Sequence, residues 1–325
     1  MDTRWTPRLM AALVGAIAML PSLTSAQTMN IQIYPLQTVT VTSEQFLTGS
    51  KDGKPVVVAG VLRVPNTGAD RVPAVVIVHG GVGVGDHEDN WARELNEIGI
   101  AAFILDSFTG RNVGDTRANL TQVSSLATLV DSYQALGLLS GNPRIDPTKI
   151  AILGFSRGAI AALFASSKRF QALYGPTGIE FAAYIGFYTP CDPTYIDDEN
   201  LSDRPIRLFH GTSDDWVPVE ACRRYVERLR KAGKDITLTE YPNSYHRFDD
   251  LGLKTPMFLP QAQTFRNCVL VESPVGRLVN QKTGMPFTPA DPCVERGVTV
   301  AFNADAQNSS LRAVRAFLTQ TFDLH

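Results

Sequence analysis

Short runs of consecutive apolar residues recur along the chain, and stretches with helical spacing separate them. Continuous apolar runs are typical of central strands in a parallel sheet, because both faces of such strands are covered. The predicted buried strands are Val72–His79, Ile100–Leu105, Ile150–Leu153, Ala182–Phe187, Ile206–Phe209 and Ile236–Tyr241. The predicted helices are Trp91–Ile98, Val123–Leu139, Ala159–Ala165, Glu220–Ala232 and residues 305–322. This alternation predicts an α/β fold with a mostly parallel, doubly wound sheet and helices on both of its faces.

Two segments depart from the alternation of strands and helices. Val39–Thr42 and Val56–Val64 are rich in β-branched residues and flank turn residues at 49–53, which predicts an N-terminal β-hairpin. Residues 254–299 lose the periodicity and contain many Pro and Gly residues. We expect them to form a loop-rich insertion packed on a single domain that covers residues 27–325.

Residues 1–26 have the composition of a signal peptide. Arg4 and Arg8 give a positive start, Leu9–Leu20 is uncharged and apolar, and the small residue Ala26 ends the segment. The apolar run is shorter than the roughly 20 residues that a bilayer-crossing helix needs. We therefore expect cleavage after Ala26 and a periplasmic or secreted protein without stable membrane association; the alternative is an uncleaved anchor.

Charge narrows the range of partners. The 325 residues include 30 Lys and Arg against 32 Asp and Glu, and the formal net charge is −2. Such a chain has no positive field to attract nucleic acid or anionic lipid, so a small molecule is the expected partner. The oligomeric state stays open.

The four cysteines suit an oxidising compartment, in which an even number favours disulfides over free thiols. They are Cys191, Cys222, Cys268 and Cys293. Of the three possible connectivities we expect Cys191–Cys222 and Cys268–Cys293, because each cysteine then pairs with its nearest neighbour in sequence. There is no C-x-x-C pair, so the spacing does not predict a metal site.

The pentapeptide Gly154-Phe155-Ser156-Arg157-Gly158 lies between a predicted strand and a predicted helix. G-x-S-x-G in this setting is typical of a nucleophile elbow, a tight turn that presents a serine hydroxyl at the carboxyl edge of a sheet. The alternative is an ordinary Gly-rich turn. The strand before it and the helix after it favour Ser156 as a nucleophile.

A serine nucleophile of this kind is followed along the chain by an acid and then by a histidine. Of the five histidines, only His246 and His325 lie far enough along the chain, and His325 is the last residue. His246 follows the last predicted strand, so it is the expected base. Asp214 and Asp215 both follow an earlier strand, and their position alone does not choose between them.

An oxyanion hole needs backbone N–H groups that point at the developing negative charge. We expect one from Arg157, the residue after the nucleophile, and another from Gly81, with Val82 as the second choice. Alternating glycines at 81–85 also suggest nucleotide binding, but they do not match the G-x-G-x-x-G spacing. His87 has acidic neighbours on both sides, yet three adjacent residues cannot easily converge on one metal ion.

Arg111 follows a predicted strand end on the same edge of the sheet. Two interpretations are open. It binds a carboxylate of the substrate, since arginine suits bidentate recognition, or it forms a structural salt bridge with a nearby acid.

These motifs together resemble the dienelactone hydrolase family of α/β-hydrolases over roughly residues 55 to 250. The likeness rests on His79-Gly80-Gly81, Asp106-Ser107-Phe108, the pentapeptide around Ser156, His210-Gly211-x-x-Asp214-x-x-Val217-Pro218, and Tyr241-Pro242 followed by His246. The family pattern implies an α/β-hydrolase fold and places the acid at Asp214. The family's nucleophile is a cysteine, whereas this chain has Ser156, which implies general ester hydrolysis rather than the reaction for which the family is named.

The sequence therefore predicts an exported serine hydrolase that cleaves carboxylic esters or lactones through an acyl-enzyme. Ser156, His246 and Asp214 would be its catalytic residues, and this chemistry requires no cofactor. The alternatives are a serine peptidase of the prolyl-oligopeptidase type and a non-catalytic binding protein on the same scaffold.

Overall fold

The computed structural model of the protein describes residues 1–3 and 30–324. The predicted signal peptide falls, apart from its first three residues, outside the described part, and so does His325. Within the described residues, no helix has the length and apolar character needed to cross a membrane.

The order of elements follows the predicted alternation. The strands are β1 Asn30–Thr40, β2 Lys54–Val64, β3 Val72–Val78, β4 Ala101–Asp106, β5 Ile145–Phe155, β6 Tyr184–Phe187, β7 Ile206–Gly211, β8 Ile236–Tyr241, β9 Met257–Thr264, β10 Leu270–Glu272, β11 Leu278–Asn280, β12 Met285–Pro286 and β13 Glu295–Val300. The α-helices are α1 Ser43–Leu47, α2 Asp86–Glu97, α3 Ser125–Ser140, α4 Arg157–Phe164, α5 Lys168–Tyr174, α6 Glu220–Lys231 and α7 Ala304–Phe322.

The large sheet has eight strands in the order β1-β2-β4-β3-β5-β6-β7-β8. Strands β3 to β8 are mutually parallel, while β1 and β2 are antiparallel to their neighbours. All seven residues of β3 are buried, and from Ala74 to Val78 they alternate between two hydrophobic cores, one on each face of the sheet. The predicted fold class is therefore confirmed: a mostly parallel sheet covered by helices on both faces. The extent of the domain, residues 27–325, stays a prediction.

The N-terminal hairpin is present, but it is larger than the sequence indicates. β1 begins at Asn30 and pairs with β2 over eleven residues, far beyond the predicted Val39–Thr42. Helix α1 lies between the two strands, where we expected only a turn. Thr42 caps this helix, and the side chain of Phe46 from the helix is buried in the core.

Residues 254–299 contain more regular structure than the predicted loop-rich insertion. Strands β9 and β13 pair with each other, and β10, β11 and β12 form a second small sheet. Val298 and Val300 of β13 pack with Ala262 of β9 against Trp216 of the main domain. The two expected disulfides, Cys191–Cys222 and Cys268–Cys293, are both confirmed.

Candidate active site

A strained turn joins the end of β5 to the start of α4. Ser156, at its centre, has φ 52° and ψ −116°, a backbone conformation that residues with a side chain rarely adopt. A Cβ atom at Gly154 would overlap the carbonyl oxygen of Gly158, and one at Gly158 would overlap the carbonyl oxygen of Val78. Only glycine fits either position, which explains why the pentapeptide has this spacing.

Ser156 stands at the start of a hydrogen-bonded chain of three side chains. Its hydroxyl lies 2.9 Å from Nε2 of His246, and Nδ1 of His246 lies 2.7 Å from Oδ2 of Asp214. The three residues follow β5, β8 and β7 respectively, and the carboxyl ends of parallel strands meet at one edge of a sheet. The structure thus brings together the three residues that the sequence predicts as nucleophile, base and acid.

Asp214 is buried, and its carboxylate is held by several donors. Its Oδ1 accepts hydrogen bonds from the backbone N–H groups of Trp216, at 3.0 Å, and Val217, at 2.8 Å. Burial by itself would raise the pKa of Asp214, but the charge of His246 and hydrogen bonds from His210 and His246 outweigh it. The pKa of Asp214 therefore lies well below its ordinary value, and the carboxylate stays ionised opposite Nδ1 of His246.

The side chain of Asp215 points away from His246. Its Oδ1 accepts a hydrogen bond of 2.8 Å from the backbone N–H of Thr299 in β13. Of the two adjacent acids, only Asp214 contacts His246. Asp215 instead connects the loop after β7, called the acid loop below, to β13 of the insertion.

The oxyanion loop follows β3, and a histidine fixes its first peptide group. The backbone N–H of Ser107 donates to Nε2 of His79 at 3.2 Å, so Nδ1 of His79 carries the proton and donates to the Gly80 carbonyl at 2.7 Å. In a trans peptide the N–H points away from the C=O, so the Gly81 N–H points away from His79. Within residues 1–3 and 30–324 this N–H has no hydrogen-bond acceptor, and Gly81 lines the pocket beside Ser156.

The side chain of Arg157 has a structural role apart from its backbone N–H. It is buried, and its guanidinium donates to the carbonyl oxygens of Leu120, at 3.2 Å, and Val123. Burial lowers the pKa of Arg157 to about 9. These contacts hold the loop before α3 against the nucleophile turn.

The pocket above Ser156 is small and has aromatic walls. It encloses ≈ 360 Å³, including the part that is open to solvent. Its lining residues are Gly80, Gly81, Val82, His87, Glu88, Arg117, Phe155, Ser156, Tyr188, Trp216, His246 and Arg247. The two arginines each pair with an acid, Arg117 with Asp115 at 2.6 Å and Arg247 with Asp250.

Two aromatic side chains that the sequence analysis missed flank His246. The ring centroids of Tyr188 and Trp216 lie 4.5 and 4.8 Å from that of the imidazole. The indole N–H of Trp216 donates to the carbonyl of Gln263 in β9 at 2.8 Å. Tyr188 directly follows β6 on the active edge, and this position is the signal that could have identified it.

The contacts of Arg111 contradict the prediction that it binds a carboxylate of the substrate. Its guanidinium forms an ion pair of 2.7 Å with Asp131, and both side chains are buried. It also donates to the backbone carbonyl of Ser107 at 2.7 Å and to the Thr40 hydroxyl at 2.8 Å. Since these acceptors occupy the guanidinium away from the pocket, the alternative of a structural salt bridge describes Arg111, and it is not a substrate contact.

The described residues contain no cluster of three or more His, Cys, Asp or Glu side chains that could hold a metal ion. His87, whose acidic neighbours in sequence raised the question of such a site, contacts Asp249 at 2.9 Å and Glu88 at 3.4 Å.

Comparison with known proteins places the chain in one family. The model of the dienelactone hydrolase family matches residues 58–253, more than half of the 325 residues. Among solved structures, a dienelactone hydrolase-like promiscuous phosphotriesterase from metagenomic libraries has a TM-score of 0.58 at 18% identity and covers 90% of this chain and 99% of its own. A likeness at this identity concerns the fold.

Two curated relatives match over shorter segments. An acyl-protein thioesterase 1 of Emericella nidulans is 31% identical over 113 residues, which is 34% of this chain and 46% of that protein. An uncharacterized peptidase of Bacillus subtilis is 26% identical over 136 residues, or 34% of this chain and 20% of that protein. The chain thus matches less than half the length of either relative.

Proposed function

The chain belongs to the dienelactone hydrolase family, and from this premise we propose that it is an exported serine hydrolase that cleaves carboxylic esters or lactones. The hydrogen-bonded chain Ser156–His246–Asp214 at the strained turn is the observation that supports this proposal most strongly. The two disulfides support a periplasmic or secreted location, because such bonds persist in oxidising compartments.

The proposed reaction proceeds in two stages. Ser156 Oγ attacks the ester carbonyl while His246 Nε2 takes its proton, and Asp214 stabilises the imidazolium that forms. The N–H groups of Gly81 and Arg157 donate to the oxyanion. His246 then protonates the leaving alcohol, and water, activated by the same histidine, releases the acid from the acyl-enzyme.

Covalent labelling tests this function directly. The purified protein is treated with a fluorophosphonate probe, and the modified residue is mapped by mass spectrometry. We expect a single phosphonylated serine, Ser156, and turnover of p-nitrophenyl esters that labelling abolishes. Labelling at another serine, or ester turnover that survives complete labelling, would contradict the proposal.

The same experiment separates the two alternatives. A non-catalytic binding protein would stay unlabelled. A peptidase would be labelled but would turn over peptides faster than esters of similar size, and the peptidase relative is the reason to include peptide substrates in the test.

The size of the pocket predicts a preference for short acyl chains. The ≈ 360 Å³ beside Ser156 includes space that is open to solvent, so the enclosed part is smaller still, and Phe155, Tyr188 and Trp216 line it. Across a series of p-nitrophenyl esters we expect kcat/KM to be highest for acetate to butyrate and to fall about tenfold or more by octanoate. Equal kcat/KM for octanoate would show that the aromatic walls move apart.

The role of His79 gives a further prediction. His79→Ala removes the donor that orients the Gly80–Gly81 peptide. Since the loss of one oxyanion donor costs about 10²–10³ in kcat, a misaligned donor is expected to lower kcat by about 10–100-fold with KM little changed. His79→Asn, whose amide N–H can reach the same carbonyl, is expected to recover part of the loss in steady-state assays. A His79→Ala variant with wild-type kcat would show that His79 does not orient the N–H of Gly81.

A further inference from the structure

The imidazole of His246 must keep one orientation, because its two nitrogens have different partners. Hydrogen bonds to Ser156 and Asp214 fix the direction of the ring axis, but rotation about that axis is limited by the side chains that pack against the ring. Tyr188 and Trp216 pack against it, both in tilted contacts. Whatever anchors these two rings therefore also sets the orientation of His246.

Tyr188 is anchored at its far end by a buried carboxylate. Its hydroxyl donates to Oδ1 of Asp249 at 3.0 Å, and Asp249 lies three residues after His246 in the same loop. The other oxygen of Asp249 accepts from the indole N–H of Trp91 and from Nε2 of His87, both at 2.9 Å. Asp249 therefore has three donors from two separate elements, α2 and the end of β6, and all of them are buried.

His87 makes this cluster ionic. Burial would lower the pKa of His87, but the adjacent Asp249 and Glu88 outweigh it and raise this pKa to about 10. The imidazolium lies between the two carboxylates, and Glu88 also accepts from the Gly85 N–H at 2.9 Å, at the end of the oxyanion loop. Asp249, His87 and Glu88 thus connect the loop that carries His246 to the loop that carries Gly81.

The backbone of Tyr188 shows that its position is imposed by its surroundings. Its φ is 38°, in the left-handed region that residues with a side chain avoid. Such a conformation persists only where surrounding contacts determine it. A glycine would form this turn without strain, so the turn does not require a tyrosine, and what the side chain adds is the contacts of its ring and hydroxyl.

We propose that Tyr188 is a positioning residue for the Ser156–His246 pair, and that the buried Asp249 carboxylate holds its ring against the His246 imidazole. The inference rests on the proposed function, because it concerns how the nucleophile and base are aligned. Loss of the Tyr188 hydroxyl keeps the ring that lines the pocket but releases it from Asp249, so it lowers the rate of the chemical step and leaves ground-state binding nearly unchanged.

The test compares two buried tyrosine hydroxyls. Tyr188→Phe removes the hydrogen bond to Asp249, and the matched control, Tyr133→Phe, removes an equally buried hydroxyl that donates to the carbonyl of Ala165 at 3.1 Å in the other core. We expect Tyr188→Phe to lower kcat and the rate of phosphonylation of Ser156 by about tenfold, with KM within about twofold of wild type. Tyr133→Phe is expected to keep both rates while losing a similar amount of thermal stability.

Asp249→Asn extends the comparison. It keeps one acceptor for Tyr188 but places an amide opposite the N–H donors of His87 and Trp91, so we expect a larger loss of rate, about 100-fold. Equal rates for Tyr188→Phe and Tyr133→Phe, or a loss confined to KM, would overturn the proposal.

A spectroscopic measurement keeps the inference separate from the proposed function. In ¹H–¹⁵N spectra, the imidazole signals of His246 are expected to shift in Tyr188→Phe and to stay in place in Tyr133→Phe. This comparison needs no substrate, so it tests the positioning role even in a protein that hydrolyses no ester. Unchanged His246 signals in Tyr188→Phe would refute the positioning role, whereas absent labelling of the wild-type protein would refute only the proposed function.

Discussion

Replacement of Ser156 by alanine is expected to lower kcat for ester hydrolysis by about 10⁶-fold, the largest effect that we predict for any single substitution. The acyl-enzyme cannot form without Oγ, and water would have to attack the carbonyl directly. A residual rate above the uncatalysed reaction should remain, since the oxyanion donors and the pocket are unaffected by the loss of one oxygen. Steady-state assays with a short-chain ester and loss of fluorophosphonate labelling measure the change.

Two further variants make the result interpretable. Ser132→Ala removes another buried hydroxyl, which donates to the Thr128 carbonyl within α3, and it should leave kcat unchanged. Ser156→Cys introduces the nucleophile that is usual in the family and should make this position reactive towards thiol reagents. Wild-type turnover in Ser156→Ala would show that another residue attacks the ester.

Asp214→Asn is expected to lower kcat by about 10⁴-fold while the fold is preserved. The amide can keep the shape of the acid loop, but its NH₂ group faces Nδ1 of His246 and favours the tautomer in which Nε2 carries the proton. That tautomer cannot accept the proton of Ser156. Measurement of kcat together with the thermal unfolding midpoint separates this effect from a loss of stability.

The neighbouring acid provides the matched control for this substitution. Asp215→Asn makes the same chemical change one residue away, and its side-chain oxygen can still accept from the Thr299 N–H. We expect its kcat to stay within about twofold of wild type, because the side chain does not contact His246 and keeps its hydrogen bond from Thr299. If Asp215→Asn proved the more damaging of the two, the assignment of the acid would be wrong.

The sequence predicts the central part of this fold well because burial on both faces leaves little freedom. Val72–Val78 can hardly be anything but a covered strand, and the prediction missed its end by one residue. The strands of the insertion escaped prediction because β10, β11 and β12 have only two or three residues, while Pro260 and Gly297 interrupt the pattern of β9 and β13. These strands are held by each other and by the Cys268–Cys293 disulfide. Helix α1 escaped for a similar reason, since five residues are too few to show a period.

Some residues of the candidate site could likewise be predicted from the sequence, and others could not. Chain order and strand ends were enough to select His246, but they could not choose between Asp214 and Asp215. That choice depends on a tight turn in which the N–H groups of Trp216 and Val217 hold one carboxylate inward. For Arg111, the sequence identified the correct edge of the sheet but not the direction of the side chain, because a long side chain there can point towards the pocket or into the core. Its buried partner, Asp131, lies in α3, and sequence spacing does not show which way that helix faces.

The segment from Thr299 to Asn303 has a consequence for C-terminal truncation. Thr299 binds Asp215 at 2.8 Å, Ala301 donates to the carbonyl of His246 at 3.3 Å, and Asn303 donates to that of Phe248 at 2.8 Å. These residues follow both loops in the chain and contribute backbone N–H groups to them. A polypeptide truncated before Thr299 keeps its nucleophile, base and acid but lacks these three contacts, so we expect it to be inert.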